Sequence, residues 1–258
     1  MNTVLETRNL HRSFGAVSAA CDINVVIHDR EVVGIIGANG AGKTTFVNMV
    51  TGYVKPSAGQ ILFQGRDITA LGPRETTAIG IARSFQVPQL FPSATVAANL
   101  MIALGVAEAG KLPLWAPLYR RQRMARCAAI LERFRIHEYH DQTVRTLPQG
   151  VRKLLDIAMA MVHAPRLVLL DEPTSGISAT EKFALMDVVI GALREERVTV
   201  LFIEHDMDIV GRYAERLLAF YDGAILADAP TATVLADAQV RQYIIGATLR
   251  RGERDAQH

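Results

Sequence analysis

One octapeptide limits what this chain can become: Gly37-Ala38-Asn39-Gly40-Ala41-Gly42-Lys43-Thr44, followed by Thr45. It has the pattern G-x-x-x-x-G-K-[ST] and follows the apolar run Val32-Val33-Gly34-Ile35-Ile36. Thr45 to Thr51 is predicted as a helix. A glycine-rich turn between a strand and a helix lets backbone N–H groups and the helix N-terminus close round an anion. Lys43 is then placed to reach the β- and γ-phosphates of a nucleotide, and the Thr44 hydroxyl to ligate Mg²⁺. The string predicts a strand, a phosphate-binding loop and a helix within an α/β fold.

Two further apolar runs carry acid–base residues at their ends. Leu167-Val168-Leu169-Leu170 leads into Asp171-Glu172. Asp171 is expected to hold Mg²⁺, directly or through water. Glu172 is expected to orient or deprotonate an attacking water. Val198 to Ile203 leads into Glu204-His205-Asp206. His205 then lies at the edge of the sheet where open α/β folds bind ligands, within reach of the γ-phosphate and that water. Unbroken apolar runs suit strands covered on both faces, as in a mainly parallel sheet. A helix from Ala179 to Glu195 is expected between the two. Val25-Val26-Ile27 and Gln60-Ile61-Leu62-Phe63 read as further strands, the second after the turn Lys55-Pro56-Ser57-Ala58-Gly59.

From about Thr95 to Ala164 the apolar period becomes helical, with segments Val96–Leu104 and Arg121–Phe134. The loop between them holds the only tryptophan, Trp115. The section reads as a helical subdomain inserted into an α/β core. Arg120, Arg121, Arg123, Arg126, Arg133 and Arg135 fall within it. They make either a solvated helix face or a docking surface for a partner or lipid headgroups.

Composition narrows the classes. Lys plus Arg is 28 against 26 Asp plus Glu, a net charge of +2 over 258 residues. That balance argues against a general nucleic-acid binder. No apolar run reaches the roughly 20 residues that span a membrane, and the start of the chain lacks the basic and apolar segments of a signal peptide. Cys21 and Cys127 form no disulfide framework or metal cluster and fit a reducing compartment. A cytoplasmic protein is expected, working at a membrane only through another subunit.

With these strings in place, the chain resembles the ATP-binding cassette family from Leu5 to Gly246. Gln86, in Ser84-Phe85-Gln86, matches the glutamine that reaches Mg²⁺ and the attacking water and whose loop senses a membrane partner. Phe14, in Ser13-Phe14-Gly15, matches the aromatic that stacks on adenine. Thr174-Ser175-Gly176-Ile177-Ser178 matches the loop that crosses the dimer, and His205 the switch histidine. Gly65-Arg66-Asp67-Ile68-Thr69, Ala82-Arg83-Ser84-Phe85-Gln86, Ile203-Glu204-His205-Asp206-Met207, the Trp115 insertion and the ending Tyr243-Ile244-Ile245-Gly246 are similar to the ATPase subunits of branched-chain amino acid importers. Lipopolysaccharide-export ATPases share several of these strings.

The resemblance implies a nucleotide-binding core whose first part, with an antiparallel β subdomain, is 1–94. A helical subdomain at 95–164, the second part of the core at 165–246 and a flexible tail at 247–258 complete it. It implies ATP and Mg²⁺ as ligands, a second ATPase protomer bound head-to-tail, two transmembrane permease subunits and, indirectly, a substrate-binding protein. The place implied is the cytoplasmic face of the inner membrane. Two departures stand out. The family signature Leu-Ser-Gly-Gly-Gln is here Leu147-Pro148-Gln149-Gly150-Val151. The signature serine that contacts the opposite γ-phosphate is lost, a hydrogen bond to charge worth roughly 1.5–3 kcal/mol. Proline suits a helix start, however, and a helix from Val151 to Val162 keeps free N–H groups there, with Gln149 and Gly150 beside them. Ser178 also replaces the usual Asp or Asn. Rival readings are a soluble ATPase acting on ribosomes or DNA, a regulatory ATP-binding module, and a small-molecule kinase.

Overall fold

Thr3–Phe14 (β1) and Val17–His28 (β2) form an antiparallel hairpin closed by Gly15 and Ala16. Val32–Gly37 (β3) leaves it for a second sheet and leads into Lys43–Val50 (α1). Ala58–Phe63 (β4) and Arg66–Asp67 (β5) return to the first sheet, whose order is β2-β1-β4-β5. Pro73–Ala78 (α2) and Ile81–Ser84 (β6) precede the helices Val96–Ala107 (α3), Arg121–Arg133 (α4) and Gln149–Ala160 (α5). Then follow Leu167–Asp171 (β7), Lys182–Glu195 (α6), Thr199–Ile203 (β8), Met207–Tyr213 (α7), Arg216–Tyr221 (β9), Ala224–Pro230 (β10) and Thr231–Ala236 (α8). The computed structural model describes residues 2–84, 86, 88–108 and 120–246; the Trp115 loop and the tail 247–258 lie outside the described residues.

The second sheet runs β10-β9-β3-β8-β7-β6, and every pairing in it is parallel except β10 with β9. Every residue of β3, β7 and β8 is buried. Their side chains alternate between two cores. Ile35, Leu169 and Leu201 face Phe46 of α1 and Ile23 of the hairpin sheet. Ile36, Leu170 and Phe202 face the helical side, with Leu155 of α5 and Met186 of α6. Each such side chain contributes roughly 1.5–3 kcal/mol by leaving water. This is why the runs are apolar without alternation: both faces of the sheet are roofed.

Several helix boundaries differ from the sequence reading: α3 runs on to Ala107, α1 and α4 each stop one residue sooner, and three further differences have a local cause. The first helix starts at Lys43 rather than Thr45, because the phosphate-binding loop itself winds into the first turn. The fifth spans Gln149–Ala160, and Met161–His163 tightens into a 3₁₀ turn that ends at Ala164 with φ +48°. The sixth starts at Lys182, since the N–H groups of Glu181 and Lys182 both donate to the Ser178 carbonyl and turn the chain first.

The arginine cluster is partly neutralised. Arg123 is buried and its guanidinium donates to Glu108 Oε2 at 2.7 Å. Arg126 donates to Glu108 Oε1 and to the Val162 carbonyl, each at 3.1 Å. Arg133 pairs with Glu196 at 2.5 Å. Among the described residues Arg120, Arg121 and Arg135 are exposed and make no ion pair, so half of this charge ties α4 to its neighbours and half faces water.

Candidate nucleotide site

Strands β3, β8, β7 and β6 lie side by side and parallel, so their C-terminal ends open on one edge. The chain leaving β3 is the glycine-rich loop, that leaving β8 holds His205, β7 ends in Asp171-Glu172, and Gln86 follows β6. Gly37 and His205, far apart in sequence, are thus brought to one crevice by strand order alone.

The loop is built for close approach. Gly42 caps α1 with φ +100° and no side-chain hydrogen bond, which leaves the first N–H groups of the helix for an anion. A Cβ at Gly42 would lie 2.5 Å from the Ala19 carbonyl of β2, so only glycine fits. Lys43 is buried, and its ammonium donates to the carbonyls of Gly37 at 2.6 Å and Ala38 at 3.0 Å. Burial pushes its pKa down, and the nearby Glu172 and Asp171 oppose that. Asn39 to Thr45 line an open pocket together with Glu172 and His205.

The Glu172 carboxylate is gripped from two sides. Gln86 Nε2 donates to Oε2 at 2.6 Å, and His205 Nε2 lies 3.0 Å from Oε1. Its backbone has φ +49°, a left-handed conformation that costs a glutamate on the order of 1–3 kcal/mol. The neighbouring bonds hold it there: Glu172 N–H donates to the Ile203 carbonyl, and its own carbonyl accepts from Ser175 N–H at 3.1 Å.

Asp171 pairs with Arg83 of β6, whose Nη2 lies 2.7 Å from Oδ2, and both side chains are nearly buried. Arg83 Nη1 also donates to Asn48 Oδ1 of α1 at 2.5 Å. The donor set suits Mg²⁺, because the Asp171 carboxylate and the Thr44 hydroxyl are hard oxygen ligands beside a phosphate cradle. Glu204 is buried beneath His205. Its Oε1 accepts from Thr174 N–H at 2.8 Å and from Thr174 Oγ1 at 2.7 Å, and Oε2 accepts from His205 N–H at 3.2 Å. Burial pushes the Glu204 pKa up.

Three expected site residues lie apart from that pocket. Phe14 stands at the tip of the hairpin, 47% exposed, with the Arg12 guanidinium 4.5 Å over its ring. Gln149 and Gly150 begin α5, and Gln149 Nε2 is 3.4 Å from the Ser175 carbonyl of its own chain. Sequence reasoning missed Arg83, Asn48, Lys153 and Glu204. Glu204 carried a signal, being a charge just past an apolar strand, whereas Arg83 lies inside the short strand β6 and carried none. Lys153 carried none, since lysine on a helix ordinarily faces water.

Parallel sheet, glycine-rich cradle and gripped carboxylate together define a P-loop ATPase. The chain belongs to the ABC transporter family, whose sequence profile matches residues 21–175. It is 30% identical over 247 residues to a probable branched-chain amino acid transport ATP-binding protein LivG of Archaeoglobus fulgidus, covering 95% of this chain and 96% of that one. It is 34% identical over 232 residues to the high-affinity branched-chain amino acid transport ATP-binding protein BraF of Pseudomonas aeruginosa, covering 87% and 91%. Among solved structures, the ADP conformation of an ATP-binding cassette of an ABC transporter superposes with TM-score 0.84 at 29% identity, covering 94% and 98%. CbiO1 of Clostridium perfringens superposes with TM-score 0.81 at 27% identity, covering 98% and 100%. The protein is an ATP-binding ATPase subunit of an ABC transporter. Among the described residues no helix is long and apolar enough to cross a membrane.

Proposed function

We propose that this subunit energises an importer of branched-chain amino acids or similar small polar or amphipathic solutes. The observation that carries the reading is the nearly end-to-end likeness to ATP-binding proteins named for that transport. In this reading two ATPase protomers, alike or different, dock head-to-tail at the cytoplasmic face of the inner membrane, beneath two permease subunits. A substrate-binding protein delivers the solute.

The residues divide the work. Gly37 to Thr45 receive the phosphates on backbone N–H groups, and Lys43 exchanges its two carbonyl partners for phosphate oxygens. Mg²⁺, held by Thr44 and Asp171 with Gln86, would neutralise charge on the β- and γ-phosphates. Glu172 accepts a hydrogen bond from the attacking water and takes up its proton. Gln86 and His205 keep that carboxylate oriented, and His205 also faces the γ-phosphoryl. Across the dimer, α5 of the partner presents its N-terminus. Pro148 lies just outside that helix, and no side chain caps it, which supports a role for its free N–H groups in place of the lost serine.

Phe14 stacks on adenine in this scheme. Phe14→Ala therefore weakens ATP binding roughly 2- to 12-fold, the size of one aromatic stacking contact. Equilibrium titration with a fluorescent nucleotide measures it, and an unchanged affinity removes Phe14 from the site.

The decisive experiment for the transport reading is a mild-detergent pull-down of the chain from its native membranes. Two multi-span subunits are expected, with or without a second ATPase. Recovery of soluble partners alone, with the chain missing from the membrane fraction, overturns the importer.

A further inference from the structure

Lys153 sits on α5, faces inward and is 3% exposed. Its ammonium donates to the Gln86 carbonyl at 2.5 Å and to the Glu172 carbonyl at 3.3 Å. Those two residues also touch each other through their side chains, Gln86 Nε2 to Glu172 Oε2. Nearly one turn further along α5, Asp156 Oδ1 accepts from Gln89 N–H at 3.1 Å. One helix face thus clips both the loop that carries Gln86 and the strained peptide that carries Glu172.

We propose that Lys153 is a positioning residue: from α5 it fixes the Gln86 and Glu172 backbones, so that the position of that helix sets the geometry of the hydrolytic carboxylate. An ammonium has three donors and no acceptor, so it joins two carbonyls that would otherwise repel. Glu172 holds a left-handed φ, and a cation on its carbonyl counters that strain. Burial lowers the Lys153 pKa, while Asp156, Glu204, Glu172 and Asp171 all favour its charged form. Its hydrogen bonds reach the pocket only at the Glu172 backbone carbonyl and none goes to the glycine-rich loop that receives the phosphates, so it acts on turnover and not on nucleotide affinity.

This inference rests on Glu172 being the hydrolytic carboxylate, and its test separates the two. Lys153→Met, Lys153→Arg and Glu172→Gln are compared with wild type, using the full chain with whatever membrane subunits copurify. ATP affinity, KM and kcat are measured for each. Lys153→Met is expected to lower kcat about 10- to 100-fold, the scale of a slightly misplaced reacting group. Its ATP affinity and KM stay within about threefold, a split that general loosening of the fold does not produce. Lys153→Arg, which keeps charge and donors, is expected to recover most of kcat. Where Lys153→Met does not fold, Lys153→Gln is read by the same criteria. Wild-type kcat in the neutral variant, affinity falling in step with kcat, or an arginine variant no better than the neutral one overturns the proposal. If Glu172→Gln turns over like wild type, the Glu172 assignment itself falls, and Lys153 with it.

Discussion

Glu172→Gln binds ATP as wild type does and hydrolyses it about 10²- to 10⁴-fold more slowly. That range is the contribution of one well-placed general base. The substitution keeps the shape of the side chain and removes its charge and its basicity. The amide still has an oxygen for Gln86 and a nitrogen that an imidazole acceptor on His205 satisfies, so the local structure persists. Lys43 and the loop N–H groups, which receive the phosphates in the proposed scheme, are untouched. The measurement is phosphate release under single-turnover conditions beside an ATP-binding titration. Turnover near the wild-type rate shows that another group handles the water.

Arg83→Met lowers the stability of the folded chain by about 3–5 kcal/mol. The guanidinium and the Asp171 carboxylate are both nearly buried, at 8% and 11% side-chain exposure. Methionine fills much of the arginine stem but leaves Asp171 charged and largely shielded from water, without its cationic partner. It also strands the Asn48 amide oxygen. The cost comes chiefly from the abandoned charge rather than from the pair itself. The double variant Arg83→Met with Asp171→Leu, which removes both charges, therefore regains a large part of the loss. Urea unfolding of the two variants gives the comparison through the midpoint at unchanged slope. A single-variant loss below about 1 kcal/mol, the range of exposed pairs, means that water reaches Asp171 more freely than the packing implies.

What the sequence made legible and what it hid follow from one physical distinction. The glycine-rich loop, β3, β7 and β8 could be read directly, because unbroken apolar runs and a fixed string of small residues are local patterns. Asp171, Glu172 and His205 were readable for the same reason, as polar residues where apolar strands stop. The Arg83–Asp171 pair was not, because it depends on β6 lying beside β7, and nothing near Ile81 announces that neighbour. Lys153 was hidden for a different reason. Its burial comes from two loops folded over α5, one leaving β6 and the other β7. The arginines of α4 looked like surface charge until Glu108 and Glu196 were placed against them.

The strand order also has a consequence for how such a chain is made. β3 is hydrogen-bonded only to β8 and β9, which begin at Thr199 and Arg216. A ribosome therefore finishes the phosphate-binding loop long before it supplies either flank of the strand that carries it. Until those strands emerge the nascent chain holds Val32 to Ile36 as a sticky, unpaired segment, open to chaperones and to aggregation. Nucleotide has little to grip until that delay ends, so ATP stabilises only chains that have been translated past β9.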